Sequence, residues 1–73
     1  MEISYYEIPS KNDTFGNETI LTKVFSMVIP NVGEVVGFED FPNLYRVKEV
    51  SYWYSYQDDE NTRCTIEILV YKE

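Results

Sequence analysis

The clearest hydrophobic pattern lies near the C-terminus. There Cys64, Ile66, Ile68 and Val70 alternate with Thr65, Glu67, Leu69 and Tyr71. A period of two puts the first set on one face of a strand and the second on the other. Residues 62–71 are therefore expected to form a strand, with Leu69 and Tyr71 pointing outward. Upstream, residues 44–56 place Tyr45 and Val47 on one face, and Val50, Tyr52, Tyr54 and Tyr56 on one face further along. The two sets are out of phase by one residue. A β-bulge near Lys48-Glu49 restores the phase and bends the strand. Gln57-Asp58-Asp59-Glu60-Asn61 then reads as a polar hairpin loop. A loop of that length sets Tyr56 across from Thr62, Tyr54 from Cys64, Tyr52 from Ile66 and Val50 from Ile68. Both strands then agree on which side is the core.

Elsewhere the punctuation is denser. Residues 2–8, Glu-Ile-Ser-Tyr-Tyr-Glu-Ile, are rich in strand formers and stop at Pro9. Residues 9–19 have turn chemistry. Residues 20–29 fit two periods. Ile20, Leu21, Val24, Phe25 and Val28 fall on one helical face, but five β-branched residues in the stretch favour a strand. As a strand it puts Leu21, Phe25, Met27 and Ile29 on one face, and Ile20, Val24 and Val28 on the other. Pro30-Asn31-Val32-Gly33 is a turn, 34–38 a short strand, and Glu39-Asp40-Phe41-Pro42-Asn43 a second turn. The expected fold is all-β: a single domain over 1–73, forming a small SH3-like, partly open barrel of about five antiparallel strands. The alternative is an α+β domain with a helix at 18–29.

The run Ile29-Pro30-Asn31-Val32-Gly33-Glu34-Val35-Val36, followed by Tyr45-Arg46-Val47-Lys48-Glu49-Val50, resembles a pattern in small bacterial and phage-encoded proteins. There a strand ends in Pro-x-Val-Gly-Glu-x-Val and a later one reads Tyr-x-Val-x-x-Val. The resemblance implies a small β-barrel and a mobile-element setting. It implies no activity.

Composition narrows the chemistry. The chain has 73 residues, a net charge of −7, one cysteine and no histidine. A single cysteine allows no intrachain disulfide, and no histidine-based metal site exists. The twelve aromatic residues, 16% of the chain, supply a core instead. The acidity disfavours nucleic acid and anionic membranes. It serves solubility, or in a sharper reading mimics a nucleic-acid backbone before a basic partner. No apolar run has the length to span a bilayer, and the N-terminus does not read as an export signal. A free thiol fits a reducing cytoplasm. The sequons at Asn12 and Asn17 then read as chance matches in a polar loop.

Candidate catalysts are few. Most carboxylates, including Asp13, Glu39, Asp40, Asp58, Asp59 and Glu60, fall in loop sequence and read as solvated groups, poor general acids at neutral pH. Glu67 reads as a solvent-facing strand residue and Glu49 as a bulge residue. Cys64 has inward phase opposite Tyr54, so it reads as a structural thiol rather than a nucleophile. Asp58-Asp59-Glu60-Asn61 lacks the alternating oxygens and glycine of a calcium loop. No cofactor or metal is expected, and no enzymatic activity.

A surface remains. With Tyr52, Tyr54 and Tyr56 inward, Trp53 points outward between Ser51 and Ser55. Leu69 and Tyr71 lie further along that face, flanked by Arg46 and Lys48. Exposed Trp with Tyr and Arg nearby is the composition of interface hot spots. The competing expectation is that the 9–19 loop folds over Trp53. The expected function is a non-enzymatic protein-binding module, in one form a phage-encoded inhibitor or modulator of a host protein. The alternatives are an oligomeric assembly protein, with a homodimer as one partner state, and a binder of small ligands such as nucleotides.

Overall fold

The computed structural model describes residues 2–13, 16–56 and 62–73. The polar loop at 57–61 lies outside them. Five strands form one sheet: β1 (Glu2–Glu7), β2 (Thr19–Phe25), β3 (Val35–Gly37), β4 (Leu44–Tyr56) and β5 (Thr62–Lys72). Their order is β2-β1-β5-β4-β3, and the sheet is strongly curled into a half-barrel. The fold is all-β, and 20–29 is strand rather than helix as far as Phe25.

The β4–β5 hairpin carries most of the sheet. Its register pairs Tyr56 with Thr62, Tyr54 with Cys64, Tyr52 with Ile66 and Val50 with Ile68, as alternation predicts. The shift falls between Val47 and Glu49, where the two phases of β4 require a bulge. Tyr45, Val47 and Val50 thereby reach the same concave side. The strands are not all antiparallel, however. β1 runs parallel to β5, with Ile3 beside Ile66 and Glu7 beside Val70. Alternation fixes the face a residue takes but not the direction of its neighbouring strand, so the pattern of β1 alone is silent here.

The concave side holds the main core. Ile3, Tyr5, Tyr45, Val47, Ile66, Ile68 and Val70 are buried there. Each fully buried aliphatic side chain contributes about 1.5–3 kcal/mol. Phe38 closes the lower end, its ring 4.9 Å from that of Tyr5, with Phe41 and Tyr45 each at 5.8 Å. Edge-on and tilted geometries of this kind suit the ring quadrupoles. Leu21 and Val24 both pack on this core, although strict alternation puts them on opposite faces. The register shift opposite Tyr5/Tyr6 explains it. Met27 and Val28 lie past the end of β2 and are exposed.

A smaller core lies on the other face. Ile8 and Leu69 are fully buried but stand apart from the main cluster. The chain leaving β1 lies on this side. Ile8 N–H donates to the Val70 carbonyl at 2.9 Å, and the Lys48 ammonium donates to the Lys11 carbonyl. A tight turn follows, with Asp13 N–H donating to the Ser10 carbonyl at 3.0 Å. The 9–13 segment thus meets the sheet at Lys48.

Candidate interaction surface

The lengths of the strands decide where the surface lies. β4 has thirteen residues, but β3 has three and pairs only with Leu44–Arg46. β1 pairs with β5 only over Ile66–Val70. Beyond that level, Trp53–Tyr56 and Thr62–Thr65 have no strand neighbours but each other among the described residues. They project from one end of a molecule measuring 41 × 25 × 18 Å. An isolated two-stranded ribbon is marginal in water.

This ribbon is aromatic on both faces. Tyr52, Tyr54 and Tyr56 continue the concave side and are 49%, 58% and 77% exposed. Their alternation marks them as core, but no strand or loop among the described residues covers them. Trp53, opposite Thr65, faces the other way and is 59% exposed. The 9–13 segment meets the sheet at Lys48, away from Trp53. Phe25, Met27 and Val28 add to the same end of the molecule. Val24, Ile3, Ile66 and Tyr52 are neighbours at one level across the sheet, and the chain after Val24 leaves beyond it. Phe25, Met27 and Val28 are 82%, 99% and 74% exposed. Apolar residues gathered at one end of a small domain mark an interaction site.

The residues expected to flank Trp53 are placed differently. Leu69 is fully buried and presents nothing to a partner. Arg46 lies seven residues from Trp53 along β4, on the order of 20 Å away at ~3.3 Å per residue. It holds the fold: its guanidinium donates to the Gly33 carbonyl at 2.7 Å and pairs with the Glu73 carboxylate. Lys48 is engaged by the Lys11 carbonyl. Tyr71 is half-buried and pairs with Arg46 across the ladder. Trp53 therefore stands with the tyrosines of the ribbon, not with Arg46, Lys48, Leu69 and Tyr71. The sequence signal that finds this grouping is the mismatch between a thirteen-residue strand and its three-residue neighbour.

The β4 strand of the ribbon is uncharged, while its β5 strand carries Arg63, exposed opposite Ser55. Val50 to Tyr56 carries no charged side chain. Tyr54 pairs across the ladder with the half-buried Cys64, and charge repulsion from Cys64 pushes the Tyr54 hydroxyl pKa up. Among the described residues there is no pocket, no cluster of three or more His, Cys, Asp or Glu fit for a metal, and no helix long and apolar enough to cross a membrane. No protein-family model, curated protein or solved structure matches the chain.

Proposed function

We propose that the chain is a non-enzymatic protein-binding module that engages its partner through the projecting end of β4 and β5. The observation that carries this reading is the exposure of Trp53, Tyr52, Tyr54 and Tyr56 on a ribbon with no strand neighbours among the described residues. Large rings on a rigid strand supply contact area at low entropic cost, and Trp and Tyr dominate interface energetics. Trp53 is the anchor and the tyrosines extend the contact along the concave side. The net charge of −7 selects against acidic partners and favours a neutral or basic one. The free thiol suits a cytoplasmic setting. Together with the resemblance to phage-encoded proteins, this makes a modulator of a host protein the form the module takes.

The test compares wild-type protein and Trp53→Ala as immobilised baits. The variant keeps its far-UV circular dichroism and loses the protein retained by wild type, with affinity falling by at least ~30-fold, as for a hot-spot tryptophan. Equal retention on both baits, or unfolding of the variant, refutes the assignment of Trp53.

A further inference from the structure

The open edge of β4 has a defined direction. The Val70 carbonyl accepts from Ile8, so Val70 turns its peptide groups toward β1. Alternation along β5 then turns Glu67, Thr65 and Arg63 toward β4, where they pair with Ser51, Trp53 and Ser55. The residues between those, Val50, Tyr52, Tyr54 and Tyr56, direct their N–H and C=O groups to the side away from β5. β3 and the turn before it occupy that side only as far as Val47, whose N–H donates to Glu34 at 2.9 Å and whose carbonyl accepts from Gly33 at 2.8 Å. Exposed edges usually carry lysine, proline or a bulge that blocks strand addition. From Val50 to Tyr56 this edge has none of them.

The same stretch is symmetric. Ser51-Tyr52-Trp53-Tyr54-Ser55 reads identically in both directions. We propose that a second copy of this chain pairs antiparallel along this edge, about a two-fold axis through Trp53, joining the two sheets into one. This rests on the reading of the ribbon as a protein-binding site and adds a second copy of the chain along its open, uncharged edge. The axis sets Tyr52 opposite the partner's Tyr54, Ser51 opposite the partner's Ser55, and Trp53 opposite the partner's Trp53. Opposed residues share a face, so tyrosines meet tyrosines on the concave side and the tryptophans meet on the other. The outward amides of Val50, Tyr52, Tyr54 and Tyr56 find partners, while the Trp53 and Ser51–Ser55 positions become the close, non-hydrogen-bonded pairs.

The edge itself is uncharged: Val50 to Tyr56 carries no acidic or basic side chain. A chain of −7 repels its copy over most of its surface, so an uncharged edge is where approach is least opposed.

Sedimentation equilibrium on the full chain tests this, and wild type is expected to be a dimer. Tyr54→Pro removes one edge-facing N–H without touching the β5 ladder, and is expected to be a folded monomer. Should that variant misfold, Tyr52→Lys with Tyr54→Lys opposes like charges across the axis. It is monomeric alone and dimeric when mixed with the Tyr52→Glu, Tyr54→Glu chain. Register is read in a Cys64→Ser background. Ser51→Cys mixed with Ser55→Cys cross-links on mild oxidation, and neither does so alone. A monomeric wild type, dimers indifferent to the lysine pair, or cross-linking of either cysteine variant alone overturns the proposal. If wild type is monomeric yet Trp53→Ala still abolishes retention of another protein, the second-copy inference fails and the binding-module reading stands. If Trp53→Ala leaves both self-association and retention intact, the binding-module reading itself fails.

Discussion

Leu69→Ala distinguishes a domain with one core from a domain with two. Leu69 is fully buried on the face of β5 opposite Ile68, outside the main cluster. Removing buried leucine atoms costs the lost transfer energy plus the cavity left behind, about 2–5 kcal/mol. The chain leaving β1 is held at this end of the sheet, by Ile8 to Val70 and by Lys48 to Lys11. A loop settles into a cavity more readily than a sheet does, which puts the expected cost at about 2–3 kcal/mol. A domain of this length has a total stability of roughly 4–11 kcal/mol. The variant therefore loses a large share of it, and its melting temperature falls by about 10–20 °C. Urea titration followed by far-UV circular dichroism reads this as a lower midpoint with unchanged slope. Leu44→Ala is the control, since Leu44 is 58% exposed and its loss is expected to cost under ~1 kcal/mol. A cost below ~1 kcal/mol at Leu69, or equal costs at the two positions, refutes the second core.

Three further outcomes are expected. Gly33 has φ +91°, and a Cβ added there would meet no atom within 4 Å, so Gly33→Ala tests backbone strain alone; chemical denaturation should show a loss of about 1–2 kcal/mol. Arg46→Met removes the bond to Gly33 and the pair with Glu73, both half-exposed, so about 1 kcal/mol is lost and the salt dependence of wild-type stability weakens. Burial raises the Tyr5 hydroxyl above its ordinary 10.0. The unfolded chain then ionises first, so this contribution is intact below pH 10 and is lost as pH rises beyond it. Tyr5→Phe should flatten that alkaline decline in stability-versus-pH curves, and an unchanged slope would count against the burial of Tyr5.

The hairpin was legible because its two strands carry the same information twice. The phase of Cys64, Ile66 and Ile68 agrees with that of Val50, Tyr52 and Tyr54 only in one register, and the out-of-phase Tyr45 and Val47 demand the bulge. Tertiary context was not legible. Leu69 alternates as an outward residue, yet it is fully buried. Tyr52, Tyr54 and Tyr56 alternate as inward residues, yet they run past the end of every neighbouring strand. Alternation reports a side of the sheet. Burial depends on what lies across from that side. For the candidate site, the outward phase of Trp53 is legible in the chain alone, and the ring is exposed. Its grouping with Arg46, Lys48, Leu69 and Tyr71 failed because the bulged strand is long enough to separate its two ends.

The parallel seam between β1 and β5 governs how the molecule is made. Ile3 sits beside Ile66, so the centre of the sheet is closed by residues from the first and last strands. Such contacts give a high contact order and slow folding, because the entropy of closing the loop is lost before the seam forms. On a ribosome β1 can pair with β2 early but waits for its other neighbour until β5 has been synthesised. During that interval Ile3, Tyr5 and Ile8 are exposed on a nascent chain with an unpaired edge. Assembly of the barrel therefore waits for the last strand instead of accompanying elongation, and the nascent chain depends on its acidic character to stay apart from its copies until then.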